Sequence, residues 1–288
     1  MATYNIAGIL INFEYAMMDY FKDNIEKYLV NSYEKPQYSI KSFVSDDFSL
    51  PEVPITLIYK TRHLYDSEFE SVLIVYDDEF KYIKQKQTKK KDLSEIIIQL
   101  NPAYQERLAE MEYIATGMAF FDIAIKEKRL PLHAAAIVYN DEAIVISAPS
   151  RTGKSTHAKL WVDSIDSVRI LNDDKPLIWD NRGKFFVSGT PWAGKTVQND
   201  NLDVSLKSIV FISQGKYNRI VPLNNKDKLI KLLQNTYRPS DLIAVDISTH
   251  LMDQLIDQVP MIGFEATMDQ SAFKTLYQYL YQEEFHEN

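Results

Sequence analysis

The stretch Ala143-Ile-Val-Ile-Ser147-Ala148-Pro-Ser-Arg-Thr-Gly153-Lys154-Ser155-Thr156 decides how this chain is read. A short β-type run enters a loop, and the loop enters a segment with Ala158, Leu160 and Trp161 on an amphipathic helix. The phosphate-binding pattern G-x-x-x-x-G-K-[ST] requires this strand, loop and helix, and here only its first glycine is replaced, by Ala148. Gly153 allows close backbone approach, Lys154 reaches the β- and γ-phosphates, and Ser155 is placed to ligate Mg²⁺. Backbone amides from Ser150 through Arg151 and Thr152 to Ser155 and Thr156 complete the expected cradle, helped by the positive end of the helix dipole. A chance Gly-Lys-Ser helix cap is the competing reading, and it explains neither the preceding strand nor the spacing.

Further along, the apolar run Val168-Arg-Ile-Leu171 leads into Asn172-Asp173-Asp174-Lys175-Pro176. Two carboxylates at a strand end, one crossover after a phosphate loop, are suited to hold Mg²⁺ and to orient an attacking group. The bland alternative is a polar turn, because Asn-Asp-Asp is good turn chemistry. Upstream, His133 precedes the strand Ala134 to Val138, which should lie beside the loop strand and bring the imidazole near a γ-phosphate. His157, just inside the helix, reads as an exposed or packing residue. The segment Ser188-Gly-Thr-Pro-Trp-Ala-Gly-Lys195 offers Thr190, Trp192 and Lys195 as an acceptor side, with a surface turn around a packed Trp as the alternative.

Around this centre the chain alternates strands and helices, the order of an α/β unit. Residues 1–104 read as a smaller α+β domain, with β-type runs at Tyr4 to Phe13, Tyr38 to Phe43, Ile55 to Tyr59 and Ser71 to Tyr76, and a helix from Met17 to Val30. The run Lys84 to Lys91 reads as a solvated loop. A long helix from Ala103 to Lys128 opens the second domain, residues 105–288, which closes with helices over Asp227 to Gln234, Thr249 to Gln258 and Gln270 to Tyr281.

The formal net charge is −8, which argues against a general nucleic-acid binder. With no cysteine, the chain has no disulfide, thiolate metal site or cysteine nucleophile. The start of the sequence lacks the pattern of a secretory signal, and no stretch is apolar over a bilayer's width. A cytoplasmic protein without membrane contact is expected, with a homo-oligomer left open.

Taken together, LPLHAAAIVY, IVISAPSRTGKST and RILNDDKP resemble the C-terminal catalytic domain of HPr kinase/phosphorylase, whose fold is related to phosphoenolpyruvate carboxykinase. His133, Ser150, Gly153, Lys154, Ser155, Asp173 and Asp174 match the positions of that pattern, whereas Ala148 and Arg151 stand where it has glycines. The segment from Ser188 to Arg219 looks more like a divergent branch beside ribosomal-peptide modification systems, as in lasso-peptide kinases.

This resemblance implies ATP-dependent phosphorylation of a serine in a protein or ribosomal peptide precursor. In that mechanism Lys154 offsets developing charge, Ser155 and Asp173 hold Mg²⁺, and Asp174 accepts the hydroxyl proton, although the two aspartates could exchange roles. A small-molecule kinase, a decarboxylating carboxykinase and a nucleotide-binding regulator without chemistry are the alternatives.

Overall fold

Ala7 and Gly8 take positive φ angles of 53° and 78°, and this turn splits the first β-type run into a hairpin of β1 (Ala2–Ile6) and β2 (Ile9–Glu14). The structure is a computed structural model that describes residues 2–32, 34–194 and 196–283. It divides into two compact units, residues 1–123 and 124–288, so the division falls within the long helix rather than at its start.

In the first unit, α1 (Met18–Ile25) is shorter than the pattern suggested and continues as one 3₁₀ turn. There follow β3 (Tyr38–Val44), β4 (Ile55–Tyr59), β5 (Arg62–Asp66), β6 (Glu70–Tyr76), β7 (Ile83–Lys90) and β8 (Glu95–Leu100), then α2 (Leu108–Lys126). The eight strands form one sheet in the order β1-β2-β3-β8-β7-β6-β5-β4. The lysine-rich run expected as a loop is therefore β7, paired on both sides. Its Gln87 is buried, and its Lys89 pairs with Asp122 of α2.

Glu112 of α2 is buried at 2% exposure, and its carboxylate accepts the amides of Ala16 (2.6 Å) and Met17 (2.8 Å) and the Ser42 hydroxyl. These bonds hold the entry to α1, where Met17 supplies no side-chain cap.

The second unit contains β9 (Arg129–Pro131), β10 (Ala134–Tyr139), β11 (Glu142–Ser147), α3 (Lys154–Ser164), β12 (Arg169–Asn172), β13 (Leu177–Asn181), β14 (Lys184–Ser188) and β15 (Asp203–Gln214). It ends with β16 (Arg219–Pro222), α4 (Asn225–Asn235), α5 (Leu242–Gln258), β17 (Met261–Ala266) and α6 (Gln270–Tyr281). These nine strands make a mixed sheet. β10 runs antiparallel to both β11 and β12, so β11 and β12 are parallel with β10 between them. β15 lies parallel to β11, and β17 parallel to β15.

Alternate residues of these strands feed two cores. Ala134, Ala136, Val145 and Phe211 pack with Leu232 of α4 and Leu251 and Leu255 of α5. Ala135, Ile144, Ile146 and Val210 pack with Ala158 and Trp161 of α3 and Phe273 and Leu276 of α6. Both faces of the sheet are thus covered, which explains why its strands read as nearly continuous apolar runs. Among the described residues no helix is long and apolar enough to cross a membrane.

Truncating Glu112 to alanine would leave two amides and a hydroxyl without their acceptor. Glu112→Ala is expected to lower stability by about 2–3 kcal/mol in a denaturant titration, with Glu112→Gln recovering part of it. A loss within error of zero would show that water replaces the carboxylate there.

Candidate functional site

Three chain segments meet at one end of the second sheet because of its register. β10 begins opposite the end of β11, with Ala134 paired to Ser147, and Ala136 pairs with Asn172 at the end of β12. The start of β10 therefore carries His133 to the place where β11 enters its loop and β12 enters the acidic turn. The carboxyl ends of parallel strands in open α/β sheets are where ligands bind.

The loop begins with buried Ala148 and passes through Arg151 at φ 66° to Gly153 at φ 111°, the residue before α3. Helices α4, α5 and α6 start with side-chain caps from Asn224, Asp241 and Asp269, whereas α3 starts at Gly153 without one. Its first amides are thus left to an external acceptor. Ser155 and Thr156 lie exposed in that first turn, and Ser150 lies exposed in the loop.

Lys154 turns inward to 7% exposure. Its Nζ donates to the Ala148 carbonyl (3.0 Å) and lies 2.9 Å from His133 Nε2, while Ser150 Oγ lies 3.3 Å from the same nitrogen. Burial, reinforced by the Lys175 ammonium, lowers the Lys154 pKa despite the opposing pull of Asp174 and Asp173.

On the other side of the imidazole, His133 Nδ1 is 2.7 Å from Asp174 Oδ1 and 2.7 Å from Lys175 Nζ, and Lys175 Nζ reaches Asp174 Oδ1 at 3.1 Å. With Nδ1 carrying its proton toward Asp174, Nε2 is free to accept from Lys154. Burial pushes the Asp174 pKa up, but the His133 hydrogen bond and the Lys175 charge together hold it below the usual carboxylate range.

Asp173 behaves oppositely. It is buried at 8% exposure, and desolvation, with Asp174 beside it, raises its pKa in spite of Ser155, Thr196 and Lys154. Its Oδ2 takes a long bond from Thr196 (3.5 Å), and among the described residues no well-formed hydrogen bond reaches the buried Oδ1. An orphaned carboxylate oxygen next to an exposed helix-start hydroxyl suits a hard divalent cation, and Mg²⁺ at phosphate sites uses only one or two protein carboxylates.

Asn172 fixes the pair. Its Oδ1 accepts the amides of Asp174 (3.0 Å) and Lys175 (2.6 Å), and its Nδ2 donates to the Thr190 carbonyl (2.8 Å). Thr190 is fully buried and donates to the Lys175 carbonyl (2.8 Å), and Trp192 is 2% exposed. Thr190 thus lies behind the acidic turn, and Trp192 is buried rather than presented on an open acceptor surface. Lys195 lies outside the described residues. His157 is fully buried with its ring edge-on to Phe264, 5.7 Å between centroids, and burial lowers its pKa. Sequence reasoning assigned no role to Lys175, because a lysine following two aspartates reads as a solvated turn residue.

The second unit is accordingly a mixed α/β body whose site combines an uncapped helix start with two lysines, a histidine and two aspartates. The family described as SynChlorMet cassette protein ScmC matches residues 96–251, just over half of the chain, and the chain belongs to that family. This membership stands where the lasso-peptide kinase branch was expected. Among solved structures, the Hpr(Ser) kinase/phosphatase from Coxiella burnetii is similar at 14% identity and a TM-score of 0.32, over 52% of this chain and 94% of that one. No curated protein matches the chain.

A Cβ on residue 153 would collide with the Met268 methyl carbon, the movable end of a flexible side chain, and φ 111° is itself costly for any L side chain. Gly153→Ala should destabilise the protein by about 1–3 kcal/mol. Adding Met268→Ala relieves the contact but not the backbone strain, so chemical denaturation should show only partial recovery. Full recovery in the double variant would mean that the loop does not require a left-handed residue.

Proposed function

We propose that the second unit is an ATP- and Mg²⁺-dependent phosphotransferase that moves the γ-phosphoryl group to a serine hydroxyl of a peptide or protein. The observation that carries this reading is the meeting of Lys154, His133, Asp173 and Asp174 beside the uncapped start of α3. The order of these residues along the chain also resembles that of HPr kinases.

In this reading the loop amides and the first turn of α3 bind the phosphates, and Lys154 lies against the β- and γ-oxygens, where negative charge builds as the bond to ADP breaks. Ser155 Oγ and Asp173 Oδ1 would hold Mg²⁺, which would supply positive charge to offset that of the phosphates. Asp174 accepts the serine proton as the hydroxyl oxygen bonds to phosphorus and ADP leaves. Lys175 and His133 keep Asp174 ionised and aimed, and His133 also ties it to Lys154. Asp174 has a lowered pKa, so it stays ionised at neutral pH. Asp173 has a raised pKa, so Mg²⁺ dependence should sharpen first as pH falls.

Three variants test this by γ-phosphoryl transfer to serine-containing peptides and by ATP binding. Lys154→Ala removes a charge-assisted contact and should weaken binding or turnover by at least about tenfold. Asp174→Asn should keep ATP affinity near normal while transfer falls by about 10²–10⁴-fold. Asp173→Asn should instead raise the Mg²⁺ requirement. Native-rate transfer by Asp174→Asn would remove it as the base, and wild-type behaviour in all three folded variants would sink the kinase reading. ATP binding with no transfer to any hydroxyl would favour a regulator.

A further inference from the structure

The two edges of the first sheet differ. At one edge β1 is covered by the chain itself, since Val30 donates its amide to the Thr3 carbonyl (3.0 Å) and Leu29 bridges to Tyr4. At the other edge β4 has β5 as its one partner strand, and all five of its residues are exposed. Ile55, Leu57, Ile58 and Tyr59 are 42%, 52%, 59% and 62% exposed, and the strand contains neither charge nor proline. An uncharged apolar edge with free backbone groups is a template for another strand, and proteins normally blunt such edges.

The register shows which backbone groups are free. Tyr76 donates its amide to the Thr61 carbonyl (2.8 Å), so Thr61 and His63 turn their backbone groups to β6, and Arg62 and Leu64 turn theirs to β4. Their partners Tyr59 and Leu57 therefore face β5, which leaves the N–H and C=O of Ile58 on the open edge. The one irregularity of β4 is a register shift between Ile55 and Leu57. It places Ile55 and Ile58 on one face of the sheet with Tyr65 and His63, and Leu57 and Tyr59 on the other with Leu64 and Arg62. Each face of the edge thus offers two large apolar side chains.

Charge along this edge is polarised. Lys60 and Arg62 stand at the turn that ends β4, whereas Glu52 precedes the strand and Glu68 lies in the β5–β6 turn beside the strand's start. All four are exposed, and none forms an ion pair among the described residues. The acidic β6–β7 turn lies two strands further in, where Lys84 and Lys81 pair with Asp78 and Glu79. A second β4 laid antiparallel meets the edge with opposite charge at both ends, apolar side chains against apolar ones, and an Ile58 whose N–H and C=O complement those of the first. A parallel copy would bring like charges together at both ends. We infer that β4 is a dimerisation edge, at which two copies of this chain pair antiparallel about a two-fold axis near Ile58 and join their eight-stranded sheets into one. The pairing is independent of the phosphate chemistry of the second unit.

Sedimentation equilibrium of the full chain over about 1–100 µM tests this, and the wild type should show a monomer–dimer equilibrium in that range. Ile58→Lys should weaken dimerisation by about tenfold or more. Ile58→Pro removes the outward N–H at an edge position where proline is tolerated, and should do the same with the circular dichroism spectrum unchanged. Two charge variants, Lys60→Glu with Arg62→Glu and Glu52→Lys with Glu68→Lys, should each self-associate about threefold or more weakly than the wild type, yet form the mixed dimer when combined. A wild type that stays monomeric across the range would overturn the inference and leave the edge to a different chain. A dimer undiminished in both Ile58 variants would place the interface elsewhere and overturn it too. Should the Ile58 variants fail to fold, the charge variants decide, because all four positions are exposed. Wild-type self-association by both charge variants, or no preference for each other, would overturn the antiparallel pairing.

Discussion

The whole polar cluster of the second unit depends on β10 lying antiparallel between the parallel strands β11 and β12. That arrangement puts the beginning of one strand beside the ends of two others. His133 thereby meets a loop that follows it by fifteen residues or so and an acidic turn some forty residues away, without any long-range tether except backbone pairing. A one-residue slip of β10 would turn Ala134 and Ala136 from the core they share with α4 and α5 to the face that packs on α3 and α6, and would carry His133 with them.

Within that frame the cluster is a balance of charges that none of its members could sustain alone. Lys154 and Asp173 are both buried, and burial moves each toward its neutral form. Asp174, next in sequence to Asp173, is pushed the other way by His133 and Lys175. Neighbouring carboxylates with diverging pKa values are suited to different tasks, one holding a cation and one receiving a proton. The framework around them is spent on geometry: Asn172 and Thr190 use their polar groups to fix the turn.

Much of this was legible because β10, β11 and the start of α3 are locally consistent, with apolar strands, a glycine at the left-handed position and a helix directly after it. What escaped has physical reasons. β7 alternates Lys with Gln and Thr, so its polar composition hid a strand that is paired on both sides and holds its charge through Lys89 and Asp122. The hairpin of β13 and β14 turns at Arg182 and Gly183, whose φ angles of 56° and 85° mark a tight reversal that α/β alternation does not announce. α5 begins at Leu242, earlier than expected, because Leu242 and Ile243 are 83% and 73% exposed and break the apolar periodicity of its first turn. Lys175 was invisible as a site residue, since only the register of β10 brings the imidazole to it. Thr190 carried the right neighbourhood but sits behind the acidic turn, and Trp192 is buried.

The central claim is that one triphosphate spans this loop with its terminal group facing the aspartates. The most direct measurement is an experimental structure of the protein with Mg²⁺ and a non-hydrolysable ATP analogue. The account places the terminal phosphorus group between Lys154 Nζ and the Asp174 carboxylate, with the metal on Ser155 Oγ and Asp173 Oδ1. A triphosphate bound elsewhere, or one held by the loop with the metal far from Asp173 and the terminal group turned away from Asp174, would contradict it.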